Sequence, residues 1–168
     1  FAPGSLVPPA RTAIVPIERL VAPTDERCGR AGVNRAALHR CKLQAHDDLA
    51  AVQAWLAAQQ PGSNTWRAYR REGERFLLWS IFERRKALSS LSTDDCLAYR
   101  MFLAAPGPQW VGARHTPRWS DAWRPMEGPL GAASRRTAEA IVRSLCDWLE
   151  RQRYLESNPW DDVERRPS

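Results

Sequence analysis

Arginine dominates the chemistry-bearing side chains of this 168-residue chain: of its 25 basic residues, only Lys42 and Lys86 are lysines. A planar guanidinium fork pairs bidentately with phosphate oxygens, so what matters is where arginines recur in register. Arg67, Arg71 and Arg75 follow one another at intervals of four, which stacks them along one face of a helix, with Arg70 flanking the stripe. Residues 63–86 hold seven basic and three acidic side chains, an excess that suits a phosphate-facing surface and an ordinary solvated face alike. Glu72 and Glu74 are the partners that an ordinary solvated face would use. A second set, Ser134-Arg135-Arg136-Thr137, opens another helical run, with Arg143 two turns beyond Arg136 and assigned to its solvent side. Two arginines oppose the macrodipole at a helix start. Together with free N–H groups and hydroxyls, however, they form a phosphate seat.

Other chemistries find less support. Cys28, His39, Cys41 and His46 are metal-ligand types, but their spacings of eleven, two and five lack the short knuckles that hold a tetrahedral zinc, so no metal is expected. Neither a Gly-x-Gly-x-x-Gly run nor a Gly-Lys-Ser/Thr loop is present, which argues against a nucleotide site. No cofactor and no small-molecule substrate are expected.

These side chains must be positioned by helices. Leu49, Val52, Trp55 and Leu56 give a first helix over 47–59 that stops at Pro61-Gly62. Ser63, Asn64 and Thr65 supply cap candidates for a long second helix reaching Lys86, with Trp66, Tyr69, Gly73, Phe76, Leu77 and Ser80 on one face. Ser92 and Asp95 form a capping-box pattern before a third helix ending near Ala105. That helix carries Leu97, Met101 and Ala104 on one apolar face and Cys96, Tyr99 and Leu103 on another, a pattern that suits a sandwiched helix. Residues 106–130 hold five prolines and three glycines and read as a long loop. Trp110, Trp119 and Trp123 either pin that loop to the helices or offer a contact surface. From Ser134, read as the cap, Ala138, Ile141, Val142, Leu145, Trp148 and Leu149 give a fourth helix to about Arg153. Trp66, Trp79 and Trp148 are assigned to the core. Strand alternation is absent, so the expected fold is an all-α bundle of four to five helices, with the Pro/Trp-rich loop between the last two.

Composition sets the remaining bounds. A net charge of +6 favours a polyanionic partner, and 43% hydrophobic residues suffice for a core. No apolar run approaches the roughly 18 residues that cross a bilayer, so no membrane partner is expected. The four scattered cysteines and the absence of a secretory leader place the chain in a reducing cytoplasm. Lacking an initial Met, it reads as a piece of a longer protein. Five of the 13 prolines fall within residues 1–33, which are expected to form a flexible tail. The helical domain is expected over 34–162, and 163–168 as the start of a linker.

Over about residues 46–162, with the pattern carried by the second to fourth helices, the chain resembles the N-terminal core-binding domain of the tyrosine recombinase (phage integrase) family. The residues that carry the resemblance are Thr65-x-x-x-Tyr69 with Phe76 and Trp79, then Leu88-Ser-Ser-Leu91, Asp94-Asp95 and Tyr99. Trp123-Arg-Pro, Gly128-Pro-Leu130, Ser134-Arg-Arg136, Trp148-Leu149, Gln152-Arg-Tyr-Leu155 and Asn158-Pro159-Trp160 continue it to about residue 162. The resemblance implies a SAM-like helical fold and a domain that clamps duplex DNA for integration or recombination. The cutting tyrosine would lie in a catalytic domain beyond Asn158-Pro159, and the full-length protein would work as a tetramer on DNA. It also implies that the second and fourth helices face the DNA, which selects Thr65, Arg67, Arg70, Arg71, Arg75, Ser134, Arg135, Arg136 and Arg143 as contacts. Arg114-His115-Thr116-Pro117-Arg118 matches the family's catalytic His-x-x-Arg box in letters only, since Pro117 breaks the helix on which that box lies. Tyr154 reads as packing, so no catalytic residue is assigned and this piece is expected not to be an enzyme. The alternative expectation is a helical protein-interaction module that uses the tryptophan-rich loop.

Overall fold

In the computed structural model, residues 13–165 are described; residues 1–12 of the expected tail and residues 166–168 lie outside them. Four α-helices and five short 3-10 turns make up the described chain, an all-α bundle. Among the described residues, extended pairing is limited to two isolated bridges, Arg35 with Leu155 and Val111 with Met126.

Side-chain caps set three of the helix starts. The first helix, α1 (Asp48–Ala57), begins where Asp47 accepts the Ala50 N–H at 2.8 Å. The second, α2 (Asn64–Phe82), begins where the Ser63 hydroxyl accepts the Trp66 N–H at 3.0 Å. At the start of α3 (Thr93–Ala104), the Ser92 N–H and hydroxyl both donate to Asp95, at 2.8 and 3.0 Å. Each cap satisfies a backbone donor that the helix itself leaves open. The last helix, α4 (Ala132–Arg151), starts three residues earlier than its sequence suggests, with Gly131 rather than Ser134 at the cap and no side-chain hydrogen bond there. Ser134 therefore sits inside the first turn and caps nothing.

Asp95 also binds Arg84 and Lys86, tying the end of α2 to the start of α3. Burial pushes its carboxyl up, but the hydrogen bonds from Lys86, the Ser92 N–H and Arg84 outweigh that and hold it at about 2. A carboxyl held low in the folded state contributes stability that is full above its ordinary value of 3.8 and is lost as pH falls towards about 2. Asp95→Ala should cost about 1–2 kcal/mol near neutrality, as loss of a cap and its bonds does. In urea titrations the gap between variant and wild type should close through that acid window; a gap unchanged at the acid end would refute the assignment.

The centre of the bundle is α2, packed between α1 and α4, and every residue from Glu72 to Ile81 is buried. Phe76 meets Tyr99 edge-on at 4.8 Å, Trp79 meets Tyr99 at 5.0 Å, and Trp160 closes the cluster 6.2 Å from Phe76. Gly73 lies under Trp55, where a Cβ would come within 2.8 Å of the indole. Alanine gains about 1 kcal/mol over glycine in a helix, but overpacking costs about 1–3 kcal/mol. Gly73→Ala is therefore expected to lower the urea midpoint; a raised midpoint would mean that Trp55 yields freely.

Three expectations change here. Residues 13–33 are packed rather than free: Val15, Ile17 and Leu20 join the core, and the Ile17 N–H donates to buried Glu74 at 2.7 Å. Glu18 of the same segment holds Arg118 of the long loop, and Arg118 also binds Glu74. The packed domain extends through Val163, which is buried, so it is bounded by neither residue 34 nor residue 162. On α3 only one face is covered, the one with Cys96, Tyr99, Phe102 and Leu103, while Leu97 and Met101 are exposed.

The loop between α3 and α4 is anchored by Trp110 and Trp123, both buried, and by the Val111–Met126 bridge. Trp110 donates its indole N–H to Glu83 at 2.7 Å. Trp119, 70% exposed, lies on the surface. Trp79 is in the core as expected, Trp148 packs against it from the side, and Trp66 is half-buried with Arg70 stacked on its ring. Among the described residues, no helix is long and apolar enough to cross a membrane.

Candidate nucleic-acid interface

A groove of about 940 Å³ runs between the N-terminal half of α2, the loop at 113–131 and the start of α4. Six arginines line it, Arg67, Arg70, Arg71, Arg75, Arg118 and Arg124, against Glu72, Glu74 and Glu127. Their pairings decide which of these charges is available. Arg75 and Arg71 share Glu72, at 2.8 and 2.9 Å, and Arg118 is consumed by Glu74 and Glu18. Glu127 pairs with Arg114. Arg67, Arg70 and Arg124 have no ion pair among the described residues. Arg67 donates to Asn64 at 3.2 Å, Arg70 lies 4.7 Å from the centre of the Trp66 ring, and Arg124 donates to the Asp121 and Trp123 carbonyls. Arg71 is 54% exposed despite its partner. A cleft lined by unpaired like charges concentrates its field outward and attracts anions.

Helical period alone misassigned two arginines. Arg75 is buried, bonded to Glu72 and to the Pro125 carbonyl, because the long loop covers the C-terminal half of the stripe. Arg143, expected on the solvent side, is also buried. It donates to Glu139, to the Trp160 carbonyl at 2.9 Å and to the Val163 carbonyl at 2.8 Å. Both are internal staples and neither is available to a ligand in the groove.

The fourth helix divides its polar residues between two faces. Ser134 and Thr137 line the groove, and exposed Thr65 lies on the first turn of α2. Arg135 and Arg136 turn away from the groove, to a separate cavity on the side of α3, and Arg135 donates to the Leu130 carbonyl at 2.6 Å. The phosphate seat expected at this helix start is therefore not assembled at the groove. His115, Thr116 and Arg124 were not selected from sequence, yet they line the groove because the loop folds back over α2.

No family model, curated protein or solved structure matches this chain. The resemblance to the recombinase core-binding domains thus rests on the motifs alone. The His-x-x-Arg pattern is dispersed: His115 is exposed, with φ of +61°, whereas Arg118 turns inward onto Glu18 and Glu74. Tyr154 is fully buried and donates its hydroxyl to Asp48 at 2.6 Å, and burial pushes its pKa well up. The four cysteines are free thiols, and burial raises that of Cys96 to about 12. Among the described residues, no three His, Cys, Asp or Glu side chains are placed to share a metal ion.

Proposed function

We propose that this chain is a duplex-DNA-binding domain that seats the phosphate backbone in the groove between α2, the 113–131 loop and the start of α4. The observation that carries this reading is the set of guanidiniums along that groove without an ion pair among the described residues, exposed Arg67 and half-buried Arg70 and Arg124, with exposed Arg71 beside them. Phosphate contacts of this kind supply most of the affinity of a DNA-binding protein and fix its register, without specifying sequence. Thr65, Ser134 and Thr137 add hydroxyl donors at the two helix starts.

The motif resemblance extends the proposal. The domain would be the core-binding half of a site-specific tyrosine recombinase, acting in the cytoplasm within a tetramer on DNA and leaving strand cleavage to a catalytic domain. Binding of labelled duplex by fluorescence anisotropy across a salt series tests the primary claim. Saturable binding that weakens steeply with salt supports it, and its absence removes it.

One observation favours the second reading, a protein-interaction module: Trp119 is exposed at the surface of the long loop, held in place by its carbonyl accepting from Arg19 at 3.0 Å. Trp110 and Trp123 are buried and unavailable for that role. A partner lost on Trp119→Ala, in a protein that does not bind duplex, would favour the module.

A further inference from the structure

The face of α4 turned away from the groove lines a second cavity, of about 230 Å³, bounded by α3 and by the segment from Trp160 to Arg165. Among the described residues, five arginines surround it, Arg100, Arg135, Arg136, Arg143 and Arg165, with Glu139 as the sole carboxylate in the lining. That carboxylate is fully engaged. Its Oε1 accepts from Arg100 at 2.7 Å and its Oε2 from Arg143 at 3.2 Å. Burial raises the Glu139 carboxyl, but these two arginines outweigh that and keep it low, so Glu139 is ionised and cancels one of the five charges.

The remaining donors of Arg100 and Arg143 go to the Glu164, Trp160 and Val163 carbonyls, which bind the C-terminal segment to the wall of the cavity. Arg136 and Arg165 are exposed and have no partner among the described residues. Two buried donors of the lining residues, Arg135 Nε and the indole Nε1 of fully buried Trp160, also lack an acceptor. The wall is therefore rich in donors and short of acceptors, with four positive charges left over. The space, about 230 Å³, is enough for a phosphoryl group and too small for a duplex.

We propose that this cavity is a phosphoryl-anion site, distinct from the groove, that takes a phosphate or pyrophosphate oxyanion. Arginine forks match such oxygens bidentately, and an oxyanion supplies both the missing acceptors and the missing negative charge. The site does not depend on the groove's binding DNA. Its anion has two possible sources, a backbone phosphate reaching the far side of α4 or a free phosphate compound.

Calorimetric titration with pyrophosphate tests the site, using wild type, Arg136→Ala with Arg165→Ala, and Arg67→Ala with Arg71→Ala. Arg136 and Arg165 are exposed, so their removal leaves the fold intact, which circular dichroism checks. The expected result is 1:1 binding by wild type, weakened at least tenfold by the Arg136/Arg165 pair and less than twofold by the Arg67/Arg71 pair. A short duplex is then added to the Arg67/Arg71 variant loaded with pyrophosphate. Displacement identifies backbone phosphate as the natural source, and retention identifies a free phosphate compound. Absence of saturable binding, or equal weakening by both pairs, overturns the proposal.

Discussion

Replacing Trp160 by alanine is expected to remove about 3–5 kcal/mol of folding stability, the loss seen when a large aromatic leaves a core. With a urea dependence of about 2 kcal/mol per molar, the midpoint should fall by about 2 M. Trp160 lies only a few residues from the end of the described chain, yet it is fully buried and touches Phe76 from α2 and Tyr99 from α3. The Arg143 guanidinium packs over its ring at 5.3 Å while bonding its carbonyl, so one residue closes the aromatic cluster and fastens the segment behind it. Trp119→Ala is the matched comparison. That side chain is exposed, and its loss should stay within about 0.5 kcal/mol, as for most surface changes. Urea unfolding followed by far-ultraviolet circular dichroism measures both. A Trp160→Ala loss below about 1 kcal/mol would mean that this segment is not part of the folded unit.

The second large effect concerns DNA and its dependence on salt. If Arg67, Arg70, Arg71 and Arg124 each neutralise one phosphate, log K should fall against log salt with a slope of about −3.6, at −0.9 per phosphate. A fourfold rise in salt then weakens binding by about 150-fold. Arg67→Ala with Arg71→Ala should bring the slope to about −1.8 and the same rise to about 12-fold, with helical circular dichroism unchanged. Exposed Arg30 and Arg40 line neither cavity and serve as the control pair. If Arg30→Ala with Arg40→Ala flattens the slope as much as the α2 pair does, binding is a matter of net charge, and the groove is not its seat.

The helices were legible because their signals are local. Ser63, Asp47 and the Ser92–Asp95 pair act within three residues of themselves, and apolar recurrence along α1, α2 and α4 needs no knowledge of the rest of the chain. What covers each face was not legible. Arg71 and Arg75 are equivalent by helical period, but a loop fifty residues downstream folds over one and leaves the other in the groove. Arg143 is equivalent to Arg136 in the same sense, until the chain after Asn158 returns across it. The burial within 13–33 is illegible for a related reason: Val15, Ile17 and Leu20 lie in or beside a single 3-10 turn hemmed by Pro16 and Pro23, too short for a period to mark them. The groove itself combines residues from 67 to 137 and has no signature shorter than the fold.

The hydrogen bonds between Asn34 and the 156–157 stretch span 123 residues, and the bridge from Arg35 to Leu155 runs beside them. They impose an order in time on biosynthesis. The ribosome makes Asn34 early, but its partners, and the Trp160 that seals the aromatic cluster, come near the end of the domain. At about 5–20 residues per second, roughly 6–26 s separate the synthesis of Asn34 from that of Val163. The segment at 13–20 meets its partners Glu74 and Arg118 well before the end, but the aromatic cluster lacks Trp160 throughout that interval, and the nascent chain holds helices without a closed core. Folding of this domain is thus gated by translation of its last ten residues, and a pause placed just before them would prolong the stage at which its tryptophans are open to a chaperone.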